Sequence, residues 1–399
     1  MILKRQLNIF NILDAYESCF IFGPRGSGKT SLVTESLGQL NGGLLKLDLL
    51  KTDQFKRYLQ NPSLLRLEVQ ELIKPEENNR RIFTVFIDEI QKIPALLDEI
   101  HGLIEEFPGK VRFILTGSSA RKLKRSGANL LAGRASTLHL HPLSCCELDI
   151  KLDRALQYGT LPRPYLMKNA PERFLRSYVD TYLKEEIQQE ALVRKLEPFV
   201  RFLDLAGQYN GVPVKVSRLA KQLGVSPKTA EEYFDILVDT LIAFRIPPWS
   251  YSVIKQLQGA TSHYFFDCGV LNALSGELRT SLRPGTFRYG KLFETYVVNE
   301  FIRQNDYSEL GFKFFCFRLD SGFEIDLIAS RGPRDTPRAI EIKAETAPDE
   351  VALRSLANVR NYIPNARMYC ICATPRRYKI GEIDVLPWQD GITTVLAAD

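Results

Sequence analysis

An α/β architecture with a mostly parallel sheet is predicted for the N-terminal part of this chain, and a second, separate α/β sheet for its C-terminal part. Three observations predict it. Short apolar runs alternate with segments of helical spacing between Phe20 and Leu140, the pattern of strands covered by helices on both faces. A glycine-rich loop stands between one such run and the helix after it. From about Arg283 the order changes to helix, three strands, helix, strand, which builds a sheet of its own.

The run CFIF, beginning at Cys19, supplies the first strand, and LLKLDL, FTVFID and VRFILTG supply the next three. Pro142 ends this alternation, and residues 1–150 are expected to form the first domain. Residues 151–195 read as a helical lid or connector, helical from Ala155 to Arg194 with breaks at Pro162, Pro164 and Pro171. Residues 196–282 hold two short helices joined at Gly224, the second starting at Ser226-Pro227, and are expected to form a winged-helix-like segment and linker. Residues 283–399 contain the helix KLFETYVVNEFIRQ, the strand FKFFCF, a turn at LDSG, the strands EIDLIAS and RAIEIKA, the helix EVALRSLANVRNYI and the strand MYCICA.

Composition limits the function classes. A chain of 399 residues at roughly 100–200 residues per domain holds two to four domains. With 45% hydrophobic and 25% charged residues, disordered, collagenous and coiled-coil classes are excluded. The net charge of +6 permits a nucleic-acid partner without requiring one. No window approaches the roughly 18 apolar residues of a membrane span. The start MILKRQLNIF lacks a signal peptide's apolar stretch and cleavage site. A cytoplasmic protein without a membrane partner is therefore expected. The seven cysteines are scattered, without a zinc-like CxxC pair, and read as reduced thiols.

Gly23-Pro24-Arg25-Gly26-Ser27-Gly28-Lys29-Thr30 fits GxxxxGK[ST] at every position, directly after a strand and before the helical SLVTESLGQL. Glycines let backbone N–H groups approach phosphates, the helix start adds positive dipole, Lys29 reaches the β- and γ-phosphates, and Thr30 ligates Mg²⁺. The bound molecules expected are therefore ATP and Mg²⁺. The strand TVFIDE ends in Asp88 and Glu89, read as the Mg²⁺-holding acid and the general base for the attacking water. After VRFILTGSS, Thr116 or Ser118 is expected to sense the γ-phosphate, and Arg134 or Arg121 to stabilise transition-state charge within one subunit or across an interface.

With GPRGSGKT, VFIDEIQKIP, LTGSSARKL, LAGR and HPLSCCEL in place, residues 20–148 resemble the AAA+ ATPases of prokaryotes in which one phosphate-loop domain precedes a C-terminal domain of uncharacterised function. The helix-turn-helix, YFFDCGVLNAL and the GKLFE, EIDLIAS and IEIKAE segments resemble that C-terminal region. The resemblance implies ATP hydrolysis driving a conformational switch, and homo-oligomeric assembly.

Glu294 on a helix, Asp326 on one strand and Glu341-Ile342-Lys343 on the next form a second constellation. Residues two apart on a strand share a face, so Glu341 and Lys343 project together. Asp326 and Glu341 would share a Mg²⁺, and Lys343 would orient a water or neutralise phosphate charge. This D…ExK pattern resembles the active site of the restriction-endonuclease-like, PD-(D/E)xK-type superfamily. Three readings stay open: a metal-dependent nuclease, a silent nucleic-acid-binding relative, and a module that recruits a protein or a second copy. Residues 351–380 carry six basic and no acidic residues, a cationic face suited to phosphates. The second helix of the helix-turn-helix carries Glu231, Glu232 and Asp235, which favours packing or assembly over groove reading. The combined expectation is an ATPase coupled to a nuclease-like domain that engages nucleic acid. The alternative is a nucleotide-dependent scaffold.

Overall fold

The computed structural model describes residues 3–15, 18–40, 42–73, 82–119, 121, 123, 131, 133–183, 196–252, 256 and 259–397. The described residues divide into two compact units, one of those up to Pro142 together with Asp239–Leu241, the other of those remaining from Leu143 onward. Each is described by itself.

In the first unit, β1 (Ser18–Phe22), β2 (Leu44–Asp48), β3 (Phe83–Asp88), β4 (Val111–Gly117) and β5 (Ala135–His139) form one sheet. Its order is β2-β3-β4-β1-β5, and every pairing is parallel. The three inner strands are buried along their whole length, as their unbroken apolar runs require. Helices α1 (Ile9–Ala15), α2 (Lys29–Leu37), α3 (Thr52–Gln60), α4 (Leu64–Ile73) and α5 (Leu96–Glu106) flank it. Leu65 and Val69 of α4 and Leu97 and Ile100 of α5 join Phe20, Val85, Ile87, Phe113 and Leu115 in one core. The register sets Phe22 beside Gly117 and Ile87 beside Leu115. The phosphate loop, Asp88 and Thr116 therefore meet at the carboxyl ends of neighbouring strands, where open parallel sheets bind ligands.

The second unit begins with α6 (Leu152–Tyr158), α7 (Pro162–Leu166) and α8 (Pro171–Ser177), the last two opened by the prolines read as breaks. Residues 184–195 of the expected helical stretch lie outside the described residues. Next come α9 (Leu196–Gln208), α10 (Val216–Leu223) and α11 (Pro227–Asp239), then the antiparallel pair β6 (Ala243–Ile246) and β7 (Ser262–Phe265). Helix α12 (Cys268–Leu274) is capped by Asp267, and α13 (Phe287–Tyr307) by Thr286. Strands β8 (Lys313–Arg318), β9 (Glu324–Ser330), β10 (Arg338–Lys343), β11 (Arg367–Cys372), β12 (Tyr378–Ile380) and β13 (Ile383–Pro387) form a mixed sheet ordered β12-β13-β11-β10-β9-β8. The chain's last described helix is Trp388–Ala397.

Helix α13 is buried on nearly every side from Tyr289 to Asn305, so its polar side chains must find partners inside the protein. Glu300 pairs with Arg303 at 2.6 Å, both essentially inaccessible to solvent. Arg303 also donates to the Leu143 and Phe266 carbonyls. The helix expected over residues 350–363 is a correction: only Arg354–Ala357 is α-helical, with a 3-10 turn at Val359–Asn361. The Asn358 amide donates back to the Arg354 carbonyl at 2.8 Å, the side-chain competition with backbone bonding that breaks helices at Asn. Among the described residues no helix is long and apolar enough to cross a membrane.

Candidate functional site

The loop from Gly23 to Thr30 bridges β1 and α2. Gly28 caps α2 with φ +99°, a backbone conformation that costs an L side chain strain. Gly23 is held by contact instead: a Cβ there would lie 2.3 Å from the Leu140 carbonyl oxygen. Pro24, Ser27 and Lys29 are buried, whereas Arg25, Gly26 and Thr30 face solvent. The Lys29 ammonium donates to the Gly23 carbonyl at 2.7 Å and the Pro24 carbonyl at 3.3 Å.

The Thr30 hydroxyl donates to Asp88 Oδ2 at 2.9 Å, and the Thr116 hydroxyl donates to Asp88 Oδ1. The next residue, Glu89, is half-buried and adopts φ +61°, a left-handed conformation that non-glycine residues seldom hold without a reason. It caps the 3-10 turn Ile90–Lys92. From that turn the Gln91 amide donates to both the Glu89 carboxylate and the Ser118 hydroxyl, the latter at 3.0 Å. Sequence reading missed Gln91, whose only signal was its place directly after the acidic pair. Of the two arginines, Arg134 is partly exposed and pairs with Glu105 at 2.5 Å. Arg121 is buried and one guanidinium nitrogen, Nη1, donates to Asp239.

Two observations test the loop against a triphosphate and its Mg²⁺. Ser27 Oγ is buried with no hydrogen-bond partner among the described residues, a cost a bound oxyanion would relieve. Thr30 and Asp88 present hard oxygen donors side by side, the donor type Mg²⁺ takes. The residues fit both groups.

The second constellation lies in the second unit. The β9–β10 ladder runs antiparallel to Leu327↔Ile340. Beyond it the Asp326 carboxylate accepts the Ile342 N–H at 2.8 Å. Lys343 Nζ donates to Glu341 Oε1 at 2.7 Å, while Glu341 Oε2 is buried without a partner among the described residues. Glu294 on α13 accepts from Tyr264 Oη at 2.7 Å and Lys291 Nζ at 2.8 Å, two partners the sequence did not suggest. Burial, with Glu341 and Glu294 nearby, pushes the Asp326 carboxyl well above the ordinary carboxylate range. Burial likewise raises Glu341, partly offset by Lys343. Burial alone would lower Lys343, but Glu341 and Asp326 outweigh it and hold the ammonium charged.

The four residues are thus brought near one another, with Glu294 bonded to other partners. Among the described residues no three acidic, histidine or cysteine side chains are spaced to hold a metal ion. The orphaned Glu341 oxygen and the crowded Asp326 still fit a cation in chemistry. The cationic face expected from residues 351–380 is smaller than its composition, because Arg360 pairs with Glu382 and Lys379 with Asp384. In α11 the side chains of Tyr233, Phe234, Ile236 and Leu237 are buried and Asp235 pairs with Arg245.

Three family models match in succession: an AAA domain over residues 15–148, a domain of unknown function (DUF8612) over 149–281 and another (DUF4143) over 289–390. An uncharacterized protein of Mycobacterium tuberculosis is 24% identical over 319 residues, covering 79% of this chain and 70% of its own. One of Haemophilus influenzae is 24% identical over 287 residues, covering 66% and 67%. Among solved structures, the Walker-type ATPase PABY2304 of Pyrococcus abyssi is similar with 15% identity and a TM-score of 0.45, covering 67% of this chain and 93% of that one. Residues 15–148 are an AAA-type ATPase domain, followed by two regions whose matching families have no known function.

Proposed function

We propose that the protein binds and hydrolyses ATP with Mg²⁺, and that the ATPase drives the C-terminal unit between two states. The observation that carries this is the connected set Thr30–Asp88–Thr116 and Glu89–Gln91–Ser118 at the mouth of a complete phosphate loop. Lys29 would leave the loop carbonyls for the β- and γ-phosphates, and the inward N–H groups would hold the remaining charge. Thr30 and Asp88 would hold Mg²⁺, which when bound would neutralise phosphate charge. Glu89 accepts a proton from the water that attacks the γ-phosphorus, while the bond to the β–γ bridging oxygen breaks and ADP departs. Gln91 orients Glu89 for that step, and its bond to Ser118 links the base to the strand beside the γ-phosphate. Arg134 would reach a phosphate only after releasing Glu105, in its own subunit or in a neighbouring copy.

The test is ATP turnover by the wild type against Glu89→Gln. The variant should bind ATP with near-wild-type affinity and hydrolyse it roughly a hundred- to ten-thousandfold more slowly, the usual worth of a general base. Wild-type turnover in Glu89→Gln would assign the base elsewhere.

For the C-terminal unit we propose a restriction-endonuclease-like domain that engages nucleic acid. It rests on the order α13, β8, β9, β10, a broken helix and β11, and on Asp326, Glu341 and Lys343 meeting at the end of the β9–β10 ladder. Glu341 and Asp326 would hold a divalent cation that polarises a phosphodiester, and Lys343 would neutralise the developing charge. Cleavage of single- and double-stranded DNA and RNA with Mg²⁺ or Mn²⁺, with and without ATP, should vanish in Asp326→Ala. No cleavage by the wild type on any substrate would favour the scaffold, in which Glu341 and Lys343 are a strand-face ion pair.

A further inference from the structure

Arg5 precedes the matched AAA domain, whose model begins at residue 15, and no sequence motif includes it. Its guanidinium reaches back over the phosphate loop: Nη1 donates to the Ser27 carbonyl and Nη2 to the His141 carbonyl, each at 2.7 Å. The same Nη1 lies 3.4 Å from where a Cβ on Gly28 would stand. One planar group therefore ties three segments together: the N-terminal stretch, the loop and the residues just past β5.

We infer that Arg5 is a positioning residue for the nucleotide, acting through the backbone of the phosphate loop. The inference rests on the ATPase reading. A phosphate loop works because successive N–H groups turn inward on the anion. Their peptide carbonyls must then turn outward, and each outward carbonyl needs a donor if it is shielded from water. Ser27 is fully buried, and its N–H is already committed to the Pro24 carbonyl at 3.2 Å. Arg5 supplies the donor that its carbonyl needs. The second bond, to His141, anchors the guanidinium to the rigid side of the sheet, where Leu140 N–H donates to the Phe22 carbonyl at 2.7 Å. The loop is held in its anion-accepting shape before the nucleotide arrives, which removes an ordering cost from binding. Arg5 also brings a fixed positive charge close to a site built for a polyanion.

A bridge of this kind needs a fork. Lysine carries the same charge but presents it as a point on a flexible stem, so it does not reproduce two parallel bonds to separate carbonyls.

The experiment measures ADP and ATP affinity with Mg²⁺ by calorimetry, kcat at saturating ATP, and thermal stability of the nucleotide-free protein, for wild type, Arg5→Ala, Arg5→Lys and the exposed neighbour control Lys4→Ala. Arg5→Ala should weaken both nucleotides roughly ten- to hundredfold, the usual worth of hydrogen bonds to a charged group. Its kcat should stay within about threefold, because its bonds go to the Ser27 and His141 carbonyls, and Lys4→Ala should bind as wild type. Arg5→Lys should recover only part of the affinity, and it keeps the test open if the alanine variant does not fold. Affinity unchanged in Arg5→Ala, with or without a lower melting temperature, would overturn the inference and leave a structural tie. Full recovery in Arg5→Lys would overturn the bridge in favour of charge alone. Failure of the wild type to bind either nucleotide would sink the ATPase reading itself, a result distinct from wild-type binding matched by Arg5→Ala.

Discussion

The two acidic sites of this chain are built on opposite terms. In the first unit each acid is met by neutral donors: Asp88 by Thr30 and Thr116 from other segments, Glu89 by Gln91 two residues on. In the second, the acids crowd one another and are offset by lysines, Glu341 by Lys343 and Glu294 by Lys291. A neutral hydroxyl or amide gives up its bond cheaply when a ligand offers another. A buried carboxylate that has lost its cation is costly. The first arrangement suits repeated exchange of a charged substrate. The second leaves a buried Glu341 oxygen without a partner among the described residues, which a group of compensating charge would satisfy.

The comparison breaks first at the lysines. Lys29→Ala should cost about a hundredfold in ATP affinity, the order expected for charge-assisted bonds to phosphate, whereas Lys343→Ala should leave ATP binding unchanged in the same calorimetric titration. A loss in both would mean that the sites are not separate. A second way to sharpen it is acid. His263 in β7 is buried and stacked on Phe234 at 4.1 Å, and burial, aided by Arg245, pushes its imidazole down to about 3. The folded ring stays neutral below the pH at which the unfolded ring takes a proton, so its contribution is complete above about 6.5 and is lost as pH falls toward 3. Going from pH 7 to pH 5 should cost the second unit roughly 2 kcal/mol from this proton alone. His263→Gln should flatten that limb in denaturant titrations, and an unchanged slope would assign the acid sensitivity to other groups. The smallest expected effect is Gln91→Ala, about a tenfold fall in kcat with KM preserved, since Glu89 keeps its chemistry and loses only its holder. A change in KM alone would place Gln91 in binding.

Where chemistry is packed into consecutive residues, it was legible. The loop from Gly23 to Thr30 and the Asp88-Glu89 pair are local patterns whose flanking strand and helix are local too. The parallel sheet followed from unbroken apolar runs. Arg5, Gln91 and Tyr264 were not legible, because each matters through a contact with a distant or differently oriented segment that neither spacing nor composition encodes. The partner of Arg121 was hidden for the same reason: its neighbours in sequence are basic, but Asp239, far along the chain, is what its Nη1 meets. The helix over residues 350–363 had a good apolar period, yet it is α-helical only over Arg354–Ala357, and just past that turn the Asn358 side chain bonds back to the Arg354 carbonyl. The second constellation was readable as residue types on neighbouring strands. Its ion pairing was not, because a lysine two positions along a strand can as easily face a substrate as the acid beside it.

Gly23 and Gly28 would both look untouchable in a saturation library, and for reasons a geneticist can separate. At Gly28 the objection is the torsion angle of +99°, which belongs to the residue itself and which no change elsewhere can relieve. At Gly23 it is a wall, the Leu140 carbonyl 2.3 Å from any new Cβ. Suppressors of a Gly23→Ala defect should therefore gather around residues 139–141, where loosening the strand end makes room. Gly28→Ala should yield none there.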